Sequence, residues 1–409
     1  MASEYPKLSQ SDINTMLLYQ MSLAYSSKNV ENRSSDSIVS DGFVFDIDPN
    51  LLMDSDKLVI DEIIGEGSDS IVYRGWYEDQ PVAIKAIQPE RTKDVPPESK
   101  LKFEREVKLL SKIQHTNVVK FIGAIVEPSM MIITELLEGG SLQKTMKNIY
   151  PITFSLEQCL SYALDISQAM EYLHSNGIIH RDLKPGNLLL TKDKSNIKVA
   201  DFGVARENIC DEMTSEAGTY RYMAPEILSK DPLPKGAKKS YDHKADVYSF
   251  AMVLWSMIKN QTPFKDRKDF MAAYATVNNM RPSLDDFPEV ITPLVQSCWI
   301  EDPKLRPEFK EITGMLIRIL HDIYTEKINA LANLKRFDEG INKSDEEISK
   351  AQHTPTSSVE STKENENISK NESETIKLNG ETDGDSQKKS KKKNKIKRFF
   401  SFFCSCISF

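Results

Sequence analysis

The stretch from His180 to Gly203 constrains this chain more than any other. It opens His-Arg-Asp-Leu-Lys-Pro-Gly-Asn, runs through an apolar segment and a short polar spacer, and closes on Val-Ala-Asp-Phe-Gly. One tight loop thus carries a carboxylate (Asp182), an ammonium (Lys184) and a carboxamide (Asn187), and a second carboxylate, Asp201, follows on a turn. Asp182 suits the orienting of a hydroxyl nucleophile, and the Asn187/Asp201 pair suits a hard, oxygen-seeking divalent cation. Asp-Phe-Gly alone would mean little. Two polar loops flanking a buried strand have no need of this set of groups at this spacing.

A chain of 409 residues has room for one large or two ordinary domains plus tails. A formal charge of -8 argues against a general nucleic-acid binder, although the average hides local asymmetry. The five cysteines (Cys159, Cys210, Cys298, Cys404, Cys406) are scattered apart from the terminal pair, which implies a reducing, cytoplasmic setting without disulfides. The N-terminus lacks a basic, apolar leader, so no signal peptide is expected. No stretch approaches the roughly 18 apolar residues of a spanning helix.

Taken in order, residues 1–50 are rich in Ser, Asn and Asp and are expected to be a disordered tail. The apolar cluster Phe43, Val44, Phe45, Leu51 and Leu52 is expected to pack on the edge of the folded domain. From Leu58 the pattern turns to strands: a β-hairpin, a third strand ending Val-Ala-Ile-Lys85, a proline-rich spacer, then a helix with Phe103, Val107, Leu110 and Ile113 at helical spacing. Two further strands lead to Gly139, Gly140 and Ser141, where this β-rich part ends. The remainder is mostly helical. Ser155 with Gln158 makes a capping box ahead of a helix whose face is Leu156, Leu160, Ala163, Ile166, Met170 and Leu173, stopped by Asn176-Gly177. The segment from Asp242 to Ile258 is apolar nearly all round, which predicts a buried central helix. A last helix is expected from near Pro307 to Phe337. Residues 338–387 come next, acidic and of low complexity, the composition of a disordered linker.

Between the first two strands, Ile64-Gly65-Glu66-Gly67-Ser68-Asp69-Ser70-Ile71-Val72 carries two glycines that let the backbone approach phosphates. By itself it reads equally as a β-turn. Lys85, flanked by apolar positions on the third strand, adds a point charge for phosphates. Glu106 follows Phe103 by three and precedes Leu110 by four, so it lies on the inward edge of its helix, placed to pair with Lys85.

With these residues in place, the segment 58–320 resembles a eukaryotic protein kinase domain, with the catalytic signatures in order. Phe103-Glu-Arg-Glu-Val107, His115-Thr-Asn-Val-Val119, Ala217-Gly-Thr-Tyr-Arg-Tyr-Met-Ala-Pro-Glu226 and Arg306-Pro-Glu-Phe309 are most similar to the tyrosine-kinase-like group, specifically the plant Raf-like MAP kinase kinase kinases. The resemblance implies an α+β, bilobal protein kinase fold flanked by disordered tails. Its small β-rich N-lobe, about residues 58–138, would carry one regulatory helix, and its larger C-lobe, about 139–320, would be mainly α-helical, with a helical extension over 321–337.

It also implies roles for single residues. Ile64, Val72, Ala83 and Leu189 would enclose the adenine of ATP, under the phosphate-covering Gly65 and Gly67. Glu135 and Leu137 would offer backbone hydrogen bonds at the hinge behind Thr134. Asn187 and Asp201 would hold Mg²⁺, or Mn²⁺ in its place. Asp182 would orient the attacking hydroxyl and accept its proton, Lys184 would stabilise the transferring phosphoryl group, and the Lys85–Glu106 pair would complete the catalytic set. Asp246 would anchor the catalytic loop, and Glu226 would pair with Arg306. A lysine two positions after Asp182 resembles serine/threonine kinases, where tyrosine-specific ones usually carry alanine and arginine. The implied reaction moves the γ-phosphoryl of ATP to Ser or Thr hydroxyls of protein substrates. Dual specificity is a smaller amendment to this reading. The chief departure is Asp69-Ser70, where the pattern usually has an aromatic and a third glycine. That anomaly is the sole support for a pseudokinase scaffold as the alternative.

Arg181 before Asp182 resembles kinases whose activation segment is ordered by a phosphate, and Thr214 and Ser215 are the candidate phosphosites. The upstream activator is not named by the sequence. The C-terminus, 388–409, stands outside the resemblance. A basic run from Lys388 to Arg398 precedes Phe399, Phe400, Phe402 and Phe403, and the chain ends Cys404-Ser-Cys406-Ile-Ser-Phe409. Basic residues beside aromatics suit an anionic membrane surface. The last four residues fit a prenylation pattern of the geranylgeranyl type, with Ser408 where an aliphatic is usual, and Cys404 is then a palmitoylation candidate; the alternative is palmitoylation of both Cys404 and Cys406. A lipid plus a polybasic patch anchors stably. Peripheral attachment to the cytoplasmic face of the plasma membrane is the expectation.

Overall fold

The computed structural model describes residues 39–40, 43–67, 70–87, 95–203, 206–207, 219–228 and 242–351. The chain divides into two units, Met1–Phe337 and Asp338–Phe409. The first holds a five-stranded antiparallel sheet followed by a mainly helical part.

Two short strands, β1 (Val39–Ser40) and β2 (Phe43–Val44), lead through a 3-10 turn at Pro49–Leu51 to β3 (Leu58–Glu66), β4 (Ser70–Tyr77) and β5 (Gln80–Ile87). With β6 (Phe121–Ile125) and β7 (Met131–Glu135) these form a sheet of order β3-β4-β5-β7-β6. Along β5 the alternation is clean: Val82, Ile84 and Ala86 are buried on one face with Tyr73, Ile125, Met131 and Ile133. Lys85 therefore emerges on the other face, in register with Val72 of β4 and Ile132 of β7.

Helix α1 (Pro97–Lys112) packs Phe103, Val107 and Leu110 into the core. It begins inside the spacer expected to be non-helical, because Pro97 takes the first helical position, where a missing N–H costs nothing. The segment before β3 is also structured, against the expectation of a tail extending to residue 50. Phe45 and Ile47 are buried, and the Phe45 ring meets Phe103 of α1 edge-on at 5.9 Å and Phe43 at 4.9 Å. Asp46 bonds Lys108 through its carboxylate and Glu104 through its N–H. Met53 N–H donates to Ala124 O at 2.8 Å, and Gly123 is required there, since a Cβ would lie 2.4 Å from the Met53 side chain. Residues 43–53 thus form a strap binding α1 and the sheet edge. The apolar cluster therefore packs on the domain edge as expected, with Phe45 and Ile47 in the core and Phe43, Leu51 and Leu52 partly buried against it, and the ordered chain begins before residue 50.

Ser141 follows the Gly139-Gly140 turn and caps α2 (Leu142–Ile149) through a bond from Lys144 N–H. Ser155 caps α3 (Leu156–Ser175) by accepting from Gln158 N–H, and Asn176-Gly177 ends it, Gly177 at φ +71°. The expected face of α3 is buried from Leu160 to Leu173, with Leu156 partly buried, but so are Cys159, Tyr162, Asp165 and Ala169 from its other side, because the helix lies within the core rather than on its surface. Strands β8 (Gly140–Ser141), β10 (Leu188–Leu190) and β11 (Ile197–Val199) make a small sheet, and β9 (Ile178–Ile179) pairs with β12 (Arg206–Glu207). Helix α4 (Pro225–Leu228) precedes α5 (Lys244–Lys259), which is buried from Lys244 to Met257, as its apolar composition predicts. Helices α6 (Asp269–Val277), α7 (Thr292–Cys298) and α8 (Phe309–Ala351) complete the described residues. α8 runs past Gly340 into the segment expected to be unstructured. A lone glycine costs only about 1 kcal/mol relative to alanine, and no proline intervenes before Pro355.

Candidate active site

A cleft of about 780 Å³ lies between the five-stranded sheet and the helical part. Lys85 lines it, and its Nζ is 2.8 Å and 3.1 Å from the two oxygens of Glu106 and 2.9 Å from Asp201 Oδ1. Glu106 is 7 % exposed, so this pair is held out of water, and losing one partner would leave an uncompensated charge. Burial pulls the lysine pKa down, but Asp201 and Glu106 more than reverse it and hold the ammonium firmly charged. The Lys85 ammonium in turn holds the Asp201 carboxyl well below the ordinary carboxylate range. Gly203 has no room for a side chain without crowding this cluster: a Cβ would sit 3.2 Å from Lys85 Nζ and 3.3 Å from Asp201 Oδ1.

The catalytic loop lies opposite. Asp182 Oδ2 receives Lys184 Nζ at 2.7 Å and Asn187 Nδ2 at 2.9 Å, and Asn187 Nδ2 also bonds the Asp182 carbonyl at 2.8 Å. Asp182 Oδ1 is buried and has no hydrogen-bond partner among the described residues. One oxygen is thus fixed by a cation and an amide, while the other makes no hydrogen bond that would compete with a substrate hydroxyl. Burial raises the Asp182 pKa, against the opposing pull of Lys184, which makes it a better base than a solvated carboxylate. With its NH₂ donated to Asp182, Asn187 has its carboxamide oxygen for a cation, alongside the half-exposed Asp201. Among the described residues no three His, Cys, Asp or Glu side chains cluster as a metal cage. Two protein oxygen donors fit a hard divalent ion whose remaining ligands are phosphate oxygens and water.

The loop is held from below. Asp246, fully buried on α5, accepts His180 N–H at 2.8 Å, Arg181 N–H at 2.9 Å and His174 Nε2–H at 2.9 Å. These bonds keep Arg181 at φ +70°, a conformation a non-glycine residue needs help to maintain. His174 had no signal in the sequence beyond its place at the end of α3. Farther out, Arg306 is 2 % exposed and forms a two-pronged pair with Glu226 at 2.7 Å and 2.8 Å.

Around the expected base site, Ile64, Val72, Ala83, Thr134, Leu137 and Leu189 all line the cleft, with Gly65 and Gly67 above and Leu136 as an unforeseen neighbour. Glu135 does not line it. Its N–H donates to Lys120 O at 3.0 Å, and its carboxylate turns away to Lys198 at 2.6 Å and Lys120 N–H at 2.7 Å, tying the hinge to β11. Only its carbonyl is left for a nucleotide. Asp69, Thr214, Ser215, Cys404 and Cys406 lie outside the described residues.

The sequence matches the protein kinase domain family over residues 58–315. It is 40 % identical over 276 residues to the serine/threonine-protein kinase STY17 of Arabidopsis thaliana, covering 66 % of this chain and 46 % of that one. It is 40 % identical over 268 residues to the serine/threonine/tyrosine-protein kinase HT1 of the same organism, covering 64 % of this chain and 66 % of that one. Mitogen-activated protein kinase kinase kinase 7 of Bos taurus is 32 % identical over 275 residues, 66 % of this chain and 45 % of that one. The chain spans about half the length of several of the curated relatives it matches. These likenesses agree with the Raf-like grouping read from the motifs, and the matched segment contains the whole cleft. The chain belongs to the protein kinase domain family.

Proposed function

We propose that this chain is a serine/threonine protein kinase that transfers the γ-phosphoryl of MgATP to Ser and Thr hydroxyls of proteins. The observation that carries the proposal is the Asp182–Lys184 pair at 2.7 Å on a loop whose Lys184 and Asn187 line the same cleft as the Lys85–Glu106–Asp201 cluster. Asp182 orients the acceptor hydroxyl and takes its proton, and Lys184 balances charge on the transferring group. Asn187 and Asp201 would hold Mg²⁺, which would offset charge on the phosphates, and Lys85 would pair with phosphate oxygens. Catalysis of this kind rests on positioning and charge stabilisation rather than covalent chemistry. Radiolabelled ATP, a generic acceptor protein and an Asp182→Asn control test it. Transfer by wild type and at least ~10²-fold less by the variant is expected. No transfer by wild type with Mg²⁺ or Mn²⁺ would favour a pseudokinase scaffold.

The relative named a serine/threonine/tyrosine-protein kinase favours a second reading, dual specificity, which phosphoamino-acid analysis resolves. Two further elements rest on the sequence. Phosphorylation of Thr214 or Ser215 switches the enzyme, and full activity in a Thr214→Ala/Ser215→Ala variant would refute this. The C-terminal tail attaches the protein to the cytoplasmic face of the plasma membrane through its basic run and lipidated Cys404 and Cys406. Among the described residues no helix is long and apolar enough to cross a membrane. A Cys404→Ser/Cys406→Ser variant still in the membrane fraction would remove the lipid from this picture.

A further inference from the structure

A second cavity, of about 390 Å³, opens beside the catalytic loop. Its wall toward the nucleotide cleft is Gln143, Pro185 and Tyr222, residues that line both spaces. Pro185 follows Asp182 by three residues, so the near wall of the cavity begins no more than about 11 Å, Cα to Cα, from Asp182. An extended peptide advances about 3.3 Å per residue, so that wall lies within about three to four residues of the phosphoacceptor.

The chemistry of the lining is one-sided. Lys147, one turn beyond Lys144 on α2, and Lys265, after α5, contribute two exposed ammonium groups, and among the described residues no carboxylate lines the cavity. Neither lysine forms an ion pair among the described residues. Asn260, a lining residue only 5 % exposed and held at φ +45°, donates Nδ2–H to Ile152 O at 2.6 Å. Its Oδ1 is buried with no hydrogen-bond partner among the described residues. Two exposed ammonium groups lining one cavity beside the catalytic loop form a receptor for an anionic side chain.

We propose that this cavity is a specificity subsite that selects substrates with an acidic side chain, carboxylate or phosphorylated, two to four residues from the phosphoacceptor, with Lys147 and Lys265 pairing the anion. The proposal rests on the kinase reading of the cleft and adds its substrate class.

The full-length protein is assayed with single-serine peptides that carry Ala, Asp, phosphoserine or Lys two, three or four residues to either side. One position is expected to favour Asp over Ala roughly twofold to thirtyfold in KM, with kcat unchanged, the range two solvent-exposed ion pairs supply. The preference shrinks as salt is raised. A Lys147→Glu/Lys265→Glu variant is expected to prefer Lys at that position while its KM for ATP stays at the wild-type value. Phosphoserine outperforming Asp identifies a phosphorylated partner residue, and the reverse identifies a carboxylate. An unchanged preference in the variant, or no acidic preference in wild type, overturns the proposal. Fluorescence anisotropy of a labelled acidic peptide separates this from the activity itself. Acid-dependent binding lost in the variant supports the subsite even if no peptide is phosphorylated, whereas absence of transfer alone counts against the kinase reading.

Discussion

Replacing Asp246 with asparagine removes one charge and exchanges one oxygen for an NH₂, leaving the shape of the side chain intact. The carboxylate accepts three hydrogen bonds, from His180 N–H and His174 Nε2–H at Oδ2 and from Arg181 N–H at Oδ1. Asparagine best keeps its oxygen at the Oδ2 position, which saves two bonds but sets an NH₂ against the Arg181 N–H. The lost bond to a charged group is worth about 1.5–3 kcal/mol, and the two survivors weaken by about 1 kcal/mol each as their acceptor becomes neutral. With no water to compensate at a fully buried site, the total is about 3–5 kcal/mol, in line with other broken buried charge networks. In a domain of this size that lowers the melting temperature on the order of 10 °C. Releasing Arg181 from its left-handed conformation also displaces its neighbour Asp182, so kcat falls by about 10²-fold in the fraction that remains folded, while KM for ATP changes little. Differential scanning fluorimetry and steady-state kinetics at a temperature where both proteins are folded measure the two effects. A variant that melts within about 2 °C of wild type with kcat intact would refute the claim that this carboxylate holds the loop.

Lys85→Ala leaves the Glu106 and Asp201 carboxylates facing each other without their common cation, so transfer falls by at least ~10²-fold. Wild-type kcat in the variant would contradict that role. Phe45→Ala opens the contact between the strap and α1, at about 3 kcal/mol for a buried phenylalanine, and hydrogen exchange is expected to accelerate across Phe103–Leu110 with a parallel loss of transfer. Unaltered exchange there would show that the strap does not stabilise α1. Burial raises the carboxyl of Asp165 to about 6, against an unfolded value near 4. The fold therefore binds this proton more tightly than the unfolded chain does. Its contribution to stability is complete below about pH 4 and is lost as pH rises through about 6. Asp165→Asn, which keeps an acceptor for Ile197 N–H, is expected to flatten the melting temperature over that window, and identical slopes in the two proteins would count against it.

The strand order around Lys85, the buried α5 and the capped start of α3 were legible because each depends on a short-range pattern. Period-two alternation, an all-round apolar helix and a serine three residues before glutamine act within a few residues of one another. The edges of the fold were less legible. The apolar cluster within residues 43–53 was legible as something that packs on the domain edge, but only the presence of α1 and the sheet edge says where Phe45, Ile47 and Met53 are buried. Glu135 shows the same limit in the site, since no local pattern says that its carboxylate turns to Lys198 and away from the cleft.

The chain's chemistry was written in contiguous sequence. Asp182, Lys184, Asn187 and Asp201 lie close together because a loop, a short strand and a turn bring them there with little help from distant residues. Lys85 and Glu106 could be added from strand and helix periodicity. Tertiary structure alone decided how that loop is held and what lies beside it. His174 and Asp246 meet beneath the loop, and Lys147, Asn260 and Lys265 meet at its flank, because separate helices pack against one core. Burial then sets the strength of each contact: three hydrogen bonds to one carboxylate steady the backbone only where water is excluded, and the packing of α5 is what excludes it.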